Sequence, residues 1–338
     1  MNMVFRIIKW PAIGVFFIFV AYGFWQSVTV AGFYFGPSEK TLAATGFVLE
    51  KARSGEMPGT FRFAPNFPFW SDGAEKERYL HIPSDSKIDN SDPDRWNFPR
   101  GTRIWKVFET DDKLVETRML FKYDIQPWAW DMAVYQPALG TGQHTKLALA
   151  RENVSGTDHD IPAPGECVTC HGDGRQRRPL GISAIQLPWN SEKTLSVEDL
   201  ARNGLFEVPP GSPVEIPGSA LTRSALGYLH ANCGSCHHQN STHVTEKVPL
   251  WLDLRTETLA SVESTHAIRT AINQQPHLDG MGTTLYIKPG NPQESFLWRR
   301  MSVRDGGAWQ MPPIATEVVD HAGVELIEKW ILEMEGMQ

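Results

Sequence analysis

The sequence predicts a multi-domain chain: an N-terminal transmembrane helix within residues 1–36, a β-rich domain over 37–180, a proline-rich connector over 181–217 and an all-α domain over 218–338. Three observations predict it. No charged residue occurs from Trp10 to Ser38. Alternating apolar and polar residues, broken by turn signals, fill the stretch from Thr60 to Tyr135, and a 3.6-residue apolar period marks segments on both sides of Cys233. The chain has 338 residues, more than one typical core holds, and its ordinary apolar share supports real cores.

Taken from its start, the chain first offers Arg6 and Lys9 ahead of the apolar run from Pro11 to Phe35. At a rise of about 1.5 Å per residue this run is long enough to cross a bilayer. The flanking positive charges stay in the cytoplasm, which places everything after Gly36-Pro37 outside. The rival is a cleaved signal peptide, with Thr29-Val30-Ala31 as a tolerable cleavage site; the apolar stretch exceeds a typical signal core and favours an uncleaved anchor. Both readings put the remainder in the periplasm, the first as a single-pass protein of a bacterial inner membrane.

The β-rich part is rich in tryptophan. Gly59 to Ala64 alternates and stops at Pro65, while Arg103 to Phe108 runs to a turn at Asp111-Asp112. Leu114 to Tyr123 reads as the hairpin partner, and Trp128, Trp130, Met132, Val134 and Tyr135 continue the alternation. The connector carries prolines at 188, 209, 210, 213 and 217 and suits an inter-domain link, with one short helix from Ser196 to Asn203 capped by Ser196. In the last part, helices are expected from Ser219 through Leu229, from Thr258 to Gln274, and from about Glu317 to Glu335.

The chemistry lies in two pentapeptides, Cys167-Val168-Thr169-Cys170-His171 and Cys233-Gly234-Ser235-Cys236-His237, which use all four cysteines of the chain. Two thiols two residues apart, followed directly by histidine, form the attachment site of a c-type haem. Each thiol adds to one vinyl group of the porphyrin, and the adjacent imidazole then lies under the iron. The expectation is two covalent haem c groups held by Cys167, Cys170, Cys233 and Cys236, with His171 and His237 as proximal ligands. A structural zinc site leaves both histidines unexplained, and two disulfides would close loops too small to stabilise much. Arg175, Arg177 and Arg178 follow His171 and are candidates for pairing with haem propionates, the alternative being a solvated basic turn. The sixth ligand of the first haem is open among His144, His159, Met119, Met132 and a vacant position.

The run Phe98-Pro99-x-Gly101-Thr102-x-Ile104-x-Lys106, with the Glu116-Thr117-Arg118 strand, a tryptophan-rich strand and a late Cys-x-x-Cys-His, resembles the β-rich haem domain of the lysine-crosslinked haem cytochromes. It also resembles uncharacterised bacterial haem proteins that join such a domain to a second haem domain. The resemblance covers residues 60–180. It implies a haem that reacts with hydroxylamine and a lysine bonded to the porphyrin, for which Lys106 is the counterpart, against the ordinary reading of a strand lysine as exposed.

Residues 218–338 resemble a class I-like cytochrome c domain, in which a first helix presents the attachment motif and crosses the last helix; Leu226 and Trp330 are the residues expected at that crossing. The resemblance implies a methionine ligand from the loop before the last helix. Met311-Pro312-Pro313 fits that place, with Met281 and Met301 as rivals. His238 and His243 read as surface residues. The fold class expected is thus a transmembrane helix, a β-rich haem domain and an all-α cytochrome c-like domain.

The net charge is −7, and haem propionates would add to it, which argues against nucleic acid as a partner. No Ser/His/Asp arrangement, phosphate-binding glycine loop or nucleotide fingerprint stands out. The sequence therefore points to single-electron transfer between redox partner proteins. The alternatives are a haem enzyme with an open first haem, acting on hydroxylamine, nitric oxide or peroxide, and an electron-transfer subunit of a membrane oxidoreductase complex.

Overall fold

The computed structural model describes residues 39–138, 143–173, 176–241, 248–277, 281–307, 309–314 and 316–335. Strands β1 (Thr60–Phe63), β2 (Glu75–His81), β3 (Arg103–Thr110), β4 (Lys113–Lys122), β5 (Trp130–Pro137) and β6 (His144–Lys146) form one antiparallel sheet, each pairing with its neighbours in sequence. Thr110 pairs with Lys113 across the two-residue turn Asp111-Asp112, whose φ values are 50° and 56°. Positive φ at both positions matches the twist of the flanking strands, and aspartate tolerates that conformation.

Both faces of the sheet are covered, because apolar residues occur at odd and even positions of the central strands. On one face Tyr79, Trp105, Met119 and Ala133 lie abreast, and Phe47 stacks on Trp105 with ring centroids 4.9 Å apart. Phe47 precedes helix α1 (Leu49–Ser54). On the other face Leu80, Ile104, Leu120 and Met132 form a row. Ile182, Leu187, Leu195, Val197, Leu200 and Phe206 close over that row, and each buried aliphatic side chain there contributes about 1.5–3 kcal/mol.

The remaining helices are α2 (Cys167–His171), α3 (Val197–Arg202), α4 (Ala220–Asn232), α5 (His266–Ala271), α6 (Phe296–Met301) and α7 (His321–Glu333). A hairpin of β7 (Gly172–Asp173) and β8 (Gln176–Arg177) follows α2. Helix α4 begins where the Ser219 hydroxyl accepts from the Thr222 N–H at 3.1 Å, and α7 where Asp320 accepts from Gly323 at 2.9 Å. The two helices pack on each other, with Leu226 and Trp330 in one buried cluster.

The multi-domain expectation is overturned. Residues 39–338 form one compact unit of mixed sheet and helix rather than a β domain linked to an independent all-α cytochrome domain. The proline-rich segment is no free linker. Its prolines prevent long helices, as expected, but the apolar residues between them are the ones that bury the sheet. It is pinned by Leu195 N–H to the Arg62 carbonyl and by Asn66 N–H to the Gln186 carbonyl. The segment before β2 also crosses into the helical half. Trp70 N–H donates to Asn232 Oδ1 at 2.7 Å, Trp70 Nε1 donates to the Val318 carbonyl at 3.1 Å, and Phe67 lies so close over Gly227 of α4 that no Cβ fits there.

The helix expected from Thr258 to Gln274 is reduced to α5. Ser264 Oγ bonds the Thr258 and Ser261 carbonyls, and Thr265 Oγ1 bonds the Val262 carbonyl. These hydroxyls take the backbone acceptors that a continuous helix would use. Among the described residues no helix is long and apolar enough to cross a membrane, and the run from Pro11 to Phe35 lies outside them.

Candidate haem site

The first pentapeptide coincides with α2. Glu166 steadies the turn before it by accepting from the Ala163 N–H at 2.7 Å. The β7–β8 hairpin then brings Arg178 back to His171: Arg178 N–H donates to the His171 carbonyl, and His171 Nδ1 lies 2.8 Å from the Arg178 carbonyl. A backbone carbonyl can only accept, so Nδ1 carries the proton and Nε2 keeps its lone pair. That is the tautomer a metal-ligating histidine needs. Burial, reinforced by the nearby Lys106 charge, pushes the His171 pKa well below its ordinary value and keeps the ring neutral.

His171, Cys167 and Cys170 line one wall of a cleft. The opposite wall is the sheet, which presents Lys106, Arg118, Leu120, Met132 and Val134. Burial also drives Lys106 down to about 7 and raises the Cys167 thiol. Beside the cleft Glu116 is fully buried. Arg118 Nε donates to its Oε2 at 2.9 Å, and His159 Nε2 lies 2.8 Å from its Oε1. Burial pushes the Glu116 carboxyl up, but the Arg118 charge and the His159 hydrogen bond outweigh it and hold the group below its ordinary value.

The second pentapeptide begins at the end of α4. Cys233 N–H donates to Leu229, and both Cys236 and His237 N–H groups donate to the Cys233 carbonyl, at 3.0 and 2.8 Å. Gly234 is required in this turn, since a Cβ would sit 2.7 Å from the His230 carbonyl oxygen and 2.8 Å from Asp253 Cα. Burial lowers the His237 pKa to about 4 and raises the Cys233 thiol to about 12. The two pentapeptides meet: Cys236 Sγ donates to the Thr169 carbonyl at 3.3 Å, and the Cys170 and Cys236 thiols are in hydrogen-bond contact.

The other sequence candidates separate in space. Of the four considered for the first haem, Met132 reaches the cleft with its side chain; Met119 points into the opposite core, His144 lies on β6 at the sheet edge, and His159 is engaged by Glu116. Arg177 Nη1 lies 3.6 Å from Asp131 Oδ1, Arg178 holds His171 through its carbonyl, and Arg175 lies outside the described residues. The Met311 N–H donates to the Arg300 carbonyl at 2.9 Å, and the Arg300 charge acts on His237. Met301 is spent in the helical core, and Met281 packs against it. His238, expected at the surface, is 4 % exposed because it is folded in beside Asp253; His243 lies outside the described residues.

Sequence reasoning missed Glu116, Arg118 and Arg78 as parts of this site. The available signal was the spacing of charges at alternate positions on β2, β3 and β4, which places them on one face with Leu80 and Leu120. The site fits a covalently held haem: both thiols and a neutral, correctly protonated histidine line a cleft walled by apolar residues. Among the described residues no group of three or more His, Cys, Asp or Glu is placed to hold a metal ion. Comparison with protein-family models, with curated proteins and with solved structures gave no match.

Proposed function

We propose that the chain is a dihaem c-type electron-transfer protein that works in the periplasm, passing single electrons between redox partner proteins. Cys167 and Cys170 hold one haem and Cys233 and Cys236 the other. His171 and His237 are the proximal ligands, and Met311 is the distal ligand of the second haem. When bound, each haem supplies an iron that changes oxidation state by one electron, and the protein sets its potential through ligands, charge and burial. The single observation that carries this reading is the meeting of the two pentapeptides at Thr169 and Cys236. Two haems attached there share one rigid unit, and an electron has no flexible gap to cross.

The chain's own contribution is positional. The Arg178 carbonyl fixes the protonated nitrogen of His171, the α4 C-terminus holds Cys233 in its turn, and the Leu252 N–H on the His237 carbonyl holds the second histidine in place. The test is a pyridine haemochrome count and an electron paramagnetic resonance spectrum of protein made in a host with haem-attachment machinery. Two low-spin haems per chain are expected, and fewer than two haems overturn the proposal.

One observation favours a second reading, the haem enzyme. Among the described residues the sheet wall facing His171 presents Lys106, Arg118 and Met132 but no histidine. A high-spin ferric signal from one haem, abolished by cyanide, would select this reading over the pure carrier.

A further inference from the structure

Neither reading uses the charges behind the sheet wall. Arg78, Lys106 and Arg118 stand abreast on β2, β3 and β4, in direct register. Cross-strand neighbours of this kind have Cβ atoms about 4.5–5.5 Å apart, a separation at which like charges destabilise a sheet. All three point to the face that carries Leu80, Ile104 and Leu120; Arg78 is buried there, and Lys106 and Arg118 are half-buried at the cleft. Arg78 is 6 % exposed, its Nε is buried without a hydrogen bond, and its guanidinium lies over the face of the Phe69 ring, 5.8 Å from the centroid. Lys106 makes no hydrogen bond or ion pair among the described residues. The one carboxylate on this part of the face, Glu116, is already committed to Arg118 and His159.

With Lys76, which shares this face of β2 and donates to the Phe69 carbonyl, four cations stand against Glu116 on the sheet and Glu166 on the facing wall of the cleft, an excess of positive charge. Arginine cannot escape by losing its proton near neutral pH, because even with burial lowering it the Arg78 pKa is about 10. Buried charge of this kind persists where something of opposite sign joins it. Lys106 and Arg118 open into the cleft shared with Cys167, Cys170 and His171. The excess therefore faces the one wall from which an anionic group can arrive.

We propose that Lys106 and Arg118, backed by Arg78, form a seat for a carboxylate or similar small oxyanion in the cleft of the first pentapeptide. The proposal deepens the haem reading of that cleft and rests on it. Two sources supply this chemistry: the propionates of the haem bound at Cys167 and Cys170, or a diffusible oxyanion drawn into the cleft. Of the arginines that follow His171, Arg177 lies 3.6 Å from Asp131 and is engaged there.

The test uses the full-length haem-loaded protein with Lys106→Met, Lys106→Arg and the double variant Arg78→Met/Lys106→Met. The readouts are a spectroscopic redox titration that resolves the two haems and a Soret titration with sodium formate. A cation beside a haem disfavours the ferric state. If the propionates fill the seat, Lys106→Met therefore lowers the potential of one haem and leaves the other unchanged, Lys106→Arg restores it, and formate gives no saturable change. If a diffusible anion fills it, formate binds saturably to the parent protein, and loss of one charge-assisted hydrogen bond weakens it roughly tenfold or more in Lys106→Met, with recovery in Lys106→Arg. Should Lys106→Met fail to fold, Lys106→Gln carries the same expectations. Two haems per chain together with unchanged potentials and unchanged formate response in the double variant overturn the seat; fewer than two haems in the parent protein overturn the underlying reading instead.

Discussion

At the scale of single residues, Glu116 shows how much one buried carboxylate organises. It joins Arg118 to His159 at no exposure to solvent. Glu116→Gln keeps the shape but removes the charge, leaving the Arg118 guanidinium facing a neutral partner. The expected cost is about 2–3 kcal/mol, at the low end for a broken buried pair because Arg118 opens to the cleft. Urea denaturation of the two proteins measures it, and the double variant Glu116→Gln/Arg118→Met should recover part of the loss. His230 gives the pH dependence. Its Nδ1 accepts from the Leu254 N–H at 3.0 Å, so the ring is neutral, and burial lowers its pKa from 6.5 to about 4. The unfolded chain takes up this proton first as pH falls. The stability His230 confers is therefore complete above pH 6.5 and is lost progressively down to pH 4, by about 3 kcal/mol in all. Denaturation midpoints at pH 7, 6 and 5 should fall, and His230→Gln should flatten that slope. At this scale the two Cys-x-x-Cys-His pentapeptides are visible in the sequence because their residues are contiguous. The Arg178 carbonyl, the protonation of His171 and the role of Arg118 are not, since they depend on a hairpin folding back and on which strand positions come abreast.

At the scale of elements, termini were more legible than lengths. Ser196 and Ser219 cap α3 and α4 where a hydroxyl before an apolar period predicts them, at 3.1 Å in both cases. Ser219 does more than cap: its hydroxyl also reaches Glu333 near the end of α7, and Thr222 Oγ1 reaches the same carboxylate at 3.1 Å. Ser219→Ala should cost about 1–2 kcal/mol, above an ordinary cap, because the tie between the helices goes with it. Thermal unfolding of Ser219→Ala beside Glu333→Gln checks the account; a smaller loss in Glu333→Gln, which keeps the cap, and a sub-additive double variant are expected if one shared network is at work. The strands β3 and β4 were read from their alternation and from Asp111-Asp112. Of their charged residues Lys106 reads as exposed, because a strand with polar alternate positions ordinarily has one wet face. What faces Lys106 and Arg118 across the cleft is the segment from Pro162 to His171, which local patterning cannot place there. The middle helix failed for a related reason: its apolar period is real, but Ser261, Ser264 and Thr265 offer the backbone competing partners.

At the scale of the whole molecule, proline density was a misleading boundary signal. Pro188 and the prolines at 209, 210, 213 and 217 limit helix length, yet Ile182, Ile185, Leu187 and Leu195 of the same segment enter two different cores. Ile185 belongs to the helical cluster, whereas Leu187, two positions on, belongs to the sheet cluster. The turn at residues 184–186, closed by the Leu187 N–H on the Ser183 carbonyl, thus sends Ile185 and Leu187 into different halves and fastens them together. Phe67 packs on the same helical cluster, and Asp72 accepts from the Val318 and Glu317 N–H groups ahead of α7 at 3.1 Å each. Residues 218–338 alone therefore lack the side chains of Phe67 and Ile185, and each exposed core position left behind forfeits about 1.5–3 kcal/mol, against a typical total stability of about 5–15 kcal/mol. Two consequences follow. The full chain should unfold in one cooperative transition, with fluorescence of the tryptophan-rich sheet and circular dichroism of the helices changing together. A fragment beginning at residue 218, with or without a haem attached at Cys233 and Cys236, should show little amide protection in hydrogen exchange. Two separated transitions, or a well-protected fragment, would show instead that the helical half is self-sufficient and that the packing of Phe67 and Ile185 is incidental to it.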